Sequence, residues 1–196
     1  MSDTLRTLVG LPTAPARLAE STLILIDCQN TYTRGVMELE GVQDALDETS
    51  TLLDRARTAG IPIIHIQHRD GPGSLYDVDG ESGAIVAQVA PRDGEPVVVK
   101  NYPNSFVGTD LEQRLKSLGA SNLVLAGFMT HMCVNSTARG AFNLGFAPTV
   151  VAAATATRAL PGVDTTVPAA AMQSASLAAV ADLFAIVVPD AVSVPD

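Results

Sequence analysis

The sequence predicts a three-layer, doubly wound α/β fold, with helices on both faces of a six-stranded, mostly parallel sheet. Three observations carry that expectation. Apolar runs of strand length alternate with helix-patterned segments along almost the whole chain. The runs are continuous rather than every-other-residue, as strands buried on both faces require. Most of them end in polar residues at their carboxyl side. Such alternation implies right-handed crossovers between parallel strands.

Taken in order, residues 22–28 (TLILIDC) form the first strand, followed by a helix with Val42, Leu46, Leu53 and Ala56 on one face, stopped by Gly60. Residues 61–66 form the second strand, with Pro62 early enough to be tolerated. Residues 97–99 form the third, ending at Lys100. Thr109-Asp110-Leu111-Glu112 has the spacing of a capping box, and Leu111, Leu115 and Leu118 then recur at helical intervals before Gly119. The fourth strand is 123–126, and Val134, Ala138, Ala141 and Phe142 mark the helix after it. A fifth strand at 149–153, a mostly helical stretch at 167–183 and a sixth strand at 185–188 complete the pattern. Residues 68–80, rich in Gly, Asp and Pro, read as a functional loop over a site.

The 196 residues fit one domain, 1–196, and a chain of this size buries roughly 70% of its unfolded surface. A net charge of −9, with no basic run, argues against nucleic acid or an anionic membrane as partner. The apolar stretch 169–188 is interrupted by Gln173, Ser174, Ser176 and Asp182, so it reads as a buried helix and strand rather than a membrane span. The first twenty residues show no unbroken apolar run of the secretory kind, and two cysteines are too few for a disulfide scaffold. A cytoplasmic protein acting on a small molecule is expected. With charged residues at only 17% and abundant Ala and Gly, so is a homo-oligomer, a dimer or tetramer.

Three reactive residues stand at strand ends: Asp27, Lys100 and Cys133. In an open parallel sheet the carboxyl ends of neighbouring strands share one edge, so all three are expected to face one pocket. Cys133 lies at a strand-to-helix turn, where the helix dipole and a nearby ammonium favour a thiolate. The expected chemistry is attack by Cys133 on a carbonyl, with Asp27 taking the thiol proton and passing it to a leaving amine, and backbone N–H groups holding the oxyanion.

The segments LILIDCQNTY, VVVKNYPNSF and LVLAGFMTHMCVNSTARGAFNLGF, in this order, resemble the isochorismatase-like cysteine hydrolases, a superfamily that includes nicotinamidases and N-carbamoylsarcosine amidases. The resemblance runs over residues 22–188. It implies a six-stranded parallel sheet and an Asp-Lys-Cys triad at Asp27, Lys100 and Cys133. It also implies a cis peptide just before Thr130, with the oxyanion held by the N–H groups of Met129 and Cys133. Relatives that cleave the vinyl ether of isochorismate lack the cysteine, so Cys133 tilts the expectation toward amide, ureide or carbamoyl C–N bonds. Nicotinamidases carry an Asp-x-His and a further His around a metal. His65, His68 and Asp70 do not reproduce that pattern, so neither metal nor cofactor is expected and nicotinamide is disfavoured.

Gln29, Asn104 and Phe106 follow the reactive positions and are expected to line the pocket, although Phe106 fits the core equally well. His68, at a strand end, and Thr130 and His131, beside the nucleophile, are expected there too; a Cys-His dyad is the competing reading of His131. His65 reads as a core histidine, and Arg69 and Arg139 as solvated. Cys28 reads as a core residue on the opposite face from Asp27, with a Cys28–Cys133 disulfide as the alternative. The rival functions are hydrolysis of a vinyl ether or ester on the same fold, and a non-catalytic scaffold or thiol redox sensor.

Overall fold

In chain order the strands of the computed structural model, which describes residues 3–196, are β1 (Ser21–Ile26), β2 (Ile63–His68), β3 (Val97–Lys100), β4 (Asn122–Phe128), β5 (Ala147–Ala156), the short pair β6 (Leu160–Pro161) and β7 (Thr166–Val167), and β8 (Ile186–Val188). Helices are α1 (Leu5–Leu8), α2 (Val42–Ala59), α3 (Leu111–Ser117), α4 (Asn135–Asn143) and α5 (Ala169–Ala181). The main sheet runs β3-β2-β1-β4-β5-β8 and every neighbouring pair is parallel. Chain order reverses between β1 and β4, and in doubly wound sheets the crevice at that reversal is where ligands bind.

Strand residues alternate between two apolar layers. Leu23 and Leu25 of β1 join Val124 and Ala126 of β4 beneath α2, which contributes Leu46, Leu52, Leu53 and Ala56. Ile24 and Ile26 join Ile64, Ile66, Val98, Leu123 and Leu125 beneath α3 and α4, through Leu111, Leu115, Val134, Ala138 and Ala141. All six residues of β1 are buried, which accounts for its unbroken apolar run. α2 ends as expected at Gly60, whose left-handed backbone closes the last turn onto the Ala56 and Arg57 carbonyls.

Several local expectations are corrected. β2 starts at Ile63, two residues late, which leaves Pro62 outside the strand with its carbonyl accepting the Leu23 N–H at 3.0 Å. No helix covers the β2–β3 crossover; residues 69–96 pass over with one short 3-10 turn at Ala87–Val89. The capping box does not form. α3 begins one residue later than the box requires, and the Thr109 hydroxyl instead donates to the Ser105 carbonyl at 2.6 Å and accepts from Leu111 N–H at 3.3 Å. The β6–β7 hairpin is antiparallel and too short to leave a sequence pattern. β5 is longer than its apolar run. Its register with β4 slips, Leu125 facing Val150 but Gly127 facing Thr155, which carries the end of β5 out along the carboxyl edge.

Candidate active site

The register of the strands dictates which side chains converge. His68 and Lys100, the last residues of β2 and β3, are direct partners and point to the same face. Asp27 follows β1, where its N–H still donates to the Ile66 carbonyl at 3.0 Å. Its backbone is left-handed, φ 51°, a region that Asp tolerates better than most residues. Strict alternation would send Cys28 to the side of Ile26. The turn at Asp27 resets the alternation instead, so Cys28 joins the α2 layer and the carboxylate swings toward β3. Room for this comes from Gly127, at φ 114°. A Cβ there would stand 2.0 Å from the Ile26 carbonyl oxygen, so only glycine lets β1 and β4 approach this closely.

Cys133 is held in a wide turn between β4 and α4, where the Met129 carbonyl accepts N–H groups from Met132 at 3.0 Å and Val134 at 3.2 Å. A cis peptide precedes the turn, at Phe128–Met129 rather than immediately before Thr130. The Met129 N–H donates to no acceptor among the described residues.

Lys100 reaches across β2 and its Nζ lies 2.7 Å from Asp27 Oδ2, 3.0 Å from His68 Nδ1 and 3.4 Å from Cys133 Sγ. An ammonium has three protons, and these are its three neighbours. The Asp27 contact is a close ion pair without the alignment of a directed hydrogen bond, and Oδ1 has no hydrogen-bond partner among the described residues. Asp27, Lys100 and Cys133 are 0%, 1% and 4% exposed, so this polar cluster sits in a dry environment. The three strand-end residues come together as expected, and His68 joins them as the third neighbour of the ammonium, a contact the sequence does not foretell.

Burial decides the proton affinities. Desolvation pushes the Asp27 carboxyl up despite the adjacent Lys100, whose charge in close contact acts the other way. The Cys133 thiol is pushed up to about 12, first by burial and then by the Asp27 charge, with Lys100 offsetting only part. This corrects the expectation of a lowered thiol pKa: near neutral pH the sulfur carries its proton. His68 is held below its ordinary value by burial and by Lys100, so it is neutral near pH 7 and able to accept from the ammonium.

Asp27, His68 and Cys133 offer ligand atoms within 4.8 Å of one another, a grouping of the kind that binds metals. The Lys100 ammonium already touches all three, so it occupies the place a metal cation would need. The set His65, His68 and Asp70 is not brought together: His65 is 1% exposed and pairs with Glu95 at 3.1 Å, while the Asp70 carboxylate accepts the Gly71 N–H.

The roof comes from the 69–96 crossover. Tyr76 sets its ring edge-on to His68, centroids 4.9 Å apart, and its hydroxyl is 3.3 Å from that of Tyr32. Tyr32 in turn packs edge-on against Phe128. Neither tyrosine stands out in the sequence, although Tyr32 closes the LILIDCQNTY segment and Tyr76 falls in the loop expected to cover a site. Gln29 is placed differently from its expected role. It is fully buried, and its amide donates to the His68 and Gly83 carbonyls at 2.9 and 2.7 Å and accepts from the His68 N–H at 2.9 Å. Every contact is to backbone, so Gln29 pins the roof to β2 and has no group left for a ligand. Asn104 and Phe106 point elsewhere as well. Asn104 accepts the Phe106 N–H and lies against Gly140, where a Cβ would meet it at 2.6 Å; Phe106 stacks on Phe146 near the opposite end of β5. Thr130 is buried beside the Cys133 turn with its hydroxyl unpartnered among the described residues, and His131 Nδ1 lies 2.6 Å from the Thr157 hydroxyl, which occupies that nitrogen and argues against a Cys-His dyad through it. Both cysteines are free.

A nucleophile-type thiol, a buried carboxylate and a lysine ammonium at the reversal point of a parallel sheet describe a hydrolase of the α/β class. The chain belongs to the isochorismatase family, whose domain model matches residues 21–192. A secreted isochorismatase effector of Verticillium dahliae is 34% identical over 91% of this chain and 93% of its own length. A ureidoacrylate amidohydrolase of Stutzerimonas stutzeri is 30% identical over 75% of each chain. Among solved structures, an isochorismatase of Pseudomonas putida superposes with a TM-score of 0.94 at 38% identity, covering 96% of this chain and 97% of that one.

Proposed function

We propose that this isochorismatase-family hydrolase cleaves a small amide, ureide or carbamoyl C–N bond through a thioester on Cys133. The observation that carries the reading is the single ammonium, Lys100, within 3.4 Å of the sulfur and 2.7 Å of the Asp27 carboxylate. The amidohydrolase among the relatives supports the bond class. Burial makes Asp27 a stronger base than an ordinary carboxylate, as a proton acceptor from sulfur needs to be.

Asp27 takes the Cys133 proton as the sulfur attacks the carbonyl carbon, and the C=O pair moves onto oxygen. The N–H groups of Met129 and Cys133 hold that oxyanion. The pair returns, the C–N bond breaks, and the amine leaves with the proton from Asp27. Asp27 then draws a proton from a water molecule as the water oxygen attacks the thioester carbon, and the C–S bond breaks as that proton passes from Asp27 to the sulfur, which frees the acid and restores the thiol. The Lys100 ammonium offsets the negative charge that passes between sulfur and carboxylate. A redox sensor requires an accessible thiol of low pKa, and Cys133 is the reverse on both counts.

The test is a panel of ureido acids, N-carbamoyl amino acids, nicotinamide and short aliphatic amides scored by ammonia or amine release, with acid-quenched mass spectra of the 20.3 kDa chain. Release accompanied by an acyl adduct on Cys133 is expected; release from Cys133→Ala at the unaltered rate removes the mechanism.

Among the described residues no helix is long and apolar enough to cross a membrane. A cytoplasmic setting and a homo-oligomer belong to the same proposal, supported by the unpaired cysteines and by the low charge content. A sedimentation mass near 20.3 kDa would remove the oligomer.

A further inference from the structure

Arg6, in α1, is a buried cation that no carboxylate of the described residues answers. It is 6% exposed and forms no ion pair, although the chain holds 21 acidic residues against 12 Lys and Arg. Its Nε donates to the Pro12 carbonyl at 2.5 Å and its Nη1 to the Leu183 carbonyl at 2.8 Å, which ties the amino-terminal arm to the segment just after α5. Those carbonyls hold the guanidinium in place but carry no full charge. The acid beside them, Asp182, turns its carboxylate to the Leu5 N–H at 2.9 Å. Burial draws the guanidinium below its ordinary value, with no anion acting the other way. Of its five N–H groups two are committed, and Nη2 donates to nothing among the described residues while keeping contact with solvent.

That guanidinium borders a cavity of about 460 Å³, between the arm and the amino edge of the sheet where β4, β5 and β8 begin. The walls are mostly apolar: Leu11 of the arm, Phe142 of α4, Phe146 of the turn after it and Ile186 of β8. Arg6 is the one charged residue in the lining. Thr149 of β5, 4% exposed, adds a hydroxyl that has no hydrogen-bond partner among the described residues. Cys133 follows the other end of β4. The length of that strand, Asn122–Phe128, at about 3.3 Å per residue, separates the cavity from the Cys133 turn by about 20 Å.

We propose that this cavity is a second ligand site, which takes a small monocarboxylic acid with a short apolar or aromatic body and holds its carboxylate on Arg6. The uncommitted donors of a planar guanidinium match a carboxylate, and an apolar wall matches the body that carries it. A single cation balances a single negative charge; a phosphate dianion would be left half-neutralised in a poorly hydrated place. The volume lies within the range of roughly 300–1,000 Å³ typical of small-molecule sites. The site lies on the opposite edge of the sheet from Cys133, so it stands whether or not the C–N bond reading does.

Calorimetric titration of the whole chain with benzoate and with benzamide tests this. One benzoate per chain is expected, and benzamide, which keeps the ring and loses the charge, should bind at least about tenfold more weakly, the range of a charge-assisted hydrogen bond. Arg6→Gln should weaken benzoate by at least about tenfold and leave benzamide unchanged. Arg6 also holds the arm, so a second variant leaves it in place. Ala147→Phe, at an exposed position of the lining, fills the cavity and should abolish benzoate binding with the melting temperature unchanged. If Arg6→Gln does not fold, Ala147→Phe decides alone. No binding of benzoate at millimolar concentration, equal binding of benzamide, or unaltered benzoate affinity in a folded Arg6→Gln overturns the site. Benzoate binding that survives Ala147→Phe also overturns it and places the acid elsewhere, the Cys133 pocket included.

Discussion

The protein has two cysteines, both free, both nearly inaccessible and both on the carboxyl side of the sheet, yet they occupy different chemical worlds. Cys28 packs into the α2 layer among aliphatic side chains, and its Sγ reaches only the Ile26 carbonyl at 3.9 Å. Cys133 has an ammonium at 3.4 Å and shares that ammonium with a buried carboxylate. Burial raises the affinity of both thiols for their protons. What separates them is the route by which a proton can leave. Cys28 is also near Asp27, and the charge there only raises it further, with no cation to compensate. A buried thiol becomes a candidate nucleophile through a base and a counter-charge placed together, not through a low resting pKa.

The sharpest way to break this contrast is to delete each sulfur. Cys133→Ala should lower turnover by at least about 10⁴-fold, whereas Cys28→Ala should leave it within a few-fold and cost about 1 kcal/mol of stability. Comparable losses of activity from the two would erase the distinction. Next in size, Asp27→Asn should reduce turnover by about 10³-fold while making Cys133 alkylate faster with iodoacetamide. The substitution removes the proton acceptor and also the negative charge that raises the thiol. Slower alkylation would mean that Asp27 is not opposing the thiolate.

Lys100→Ala is expected to destabilise by about 3–5 kcal/mol in urea titrations, because it strands a buried carboxylate. A cost below about 1 kcal/mol would mean that the pair contributes little to the fold. The alkylation profile of Cys133 should still be climbing above pH 9 toward about 12, with no plateau near neutrality. A plateau at pH 7 would restore the preformed thiolate. The smallest effect concerns His68. Its folded pKa is below 6.5, so the unfolded chain binds the proton first, and stability contributed by neutral His68 is present above pH 6.5 and declines as pH falls through that value. His68→Asn should flatten the fall in urea midpoint between pH 7 and pH 5; an unchanged slope assigns it to other groups.

The elements that were legible are those where one local signal decides the outcome. The continuous apolar runs mark β1 and β4, Gly60 marks the end of α2, and the polar residues ending the runs single out Asp27 and Lys100. Elements read wrongly are those where a distant partner outweighs the local pattern. The Thr109 hydroxyl is drawn off by the Ser105 carbonyl, so the capping box fails. Gln29 looks like a pocket residue beside Asp27, but the backbone of His68 in β2 and of Gly83 in the crossover claims its amide. Phe106 follows Lys100 closely in sequence, yet it finds Phe146. Tyr76 carries no local mark, since its place over the His68 ring exists only once the crossover has folded back onto β2.

By itself the sequence determines the layered sheet, the strand ends from which reactive groups project and the family to which they belong, because hydrophobic period and strand-end chemistry are local properties. Only the tertiary structure decides that Lys100 bridges the carboxylate, the imidazole and the sulfur, and that the thiol rests protonated. Each of those depends on desolvation and on distances between residues far apart in the chain, and neither quantity exists until the strands are in register.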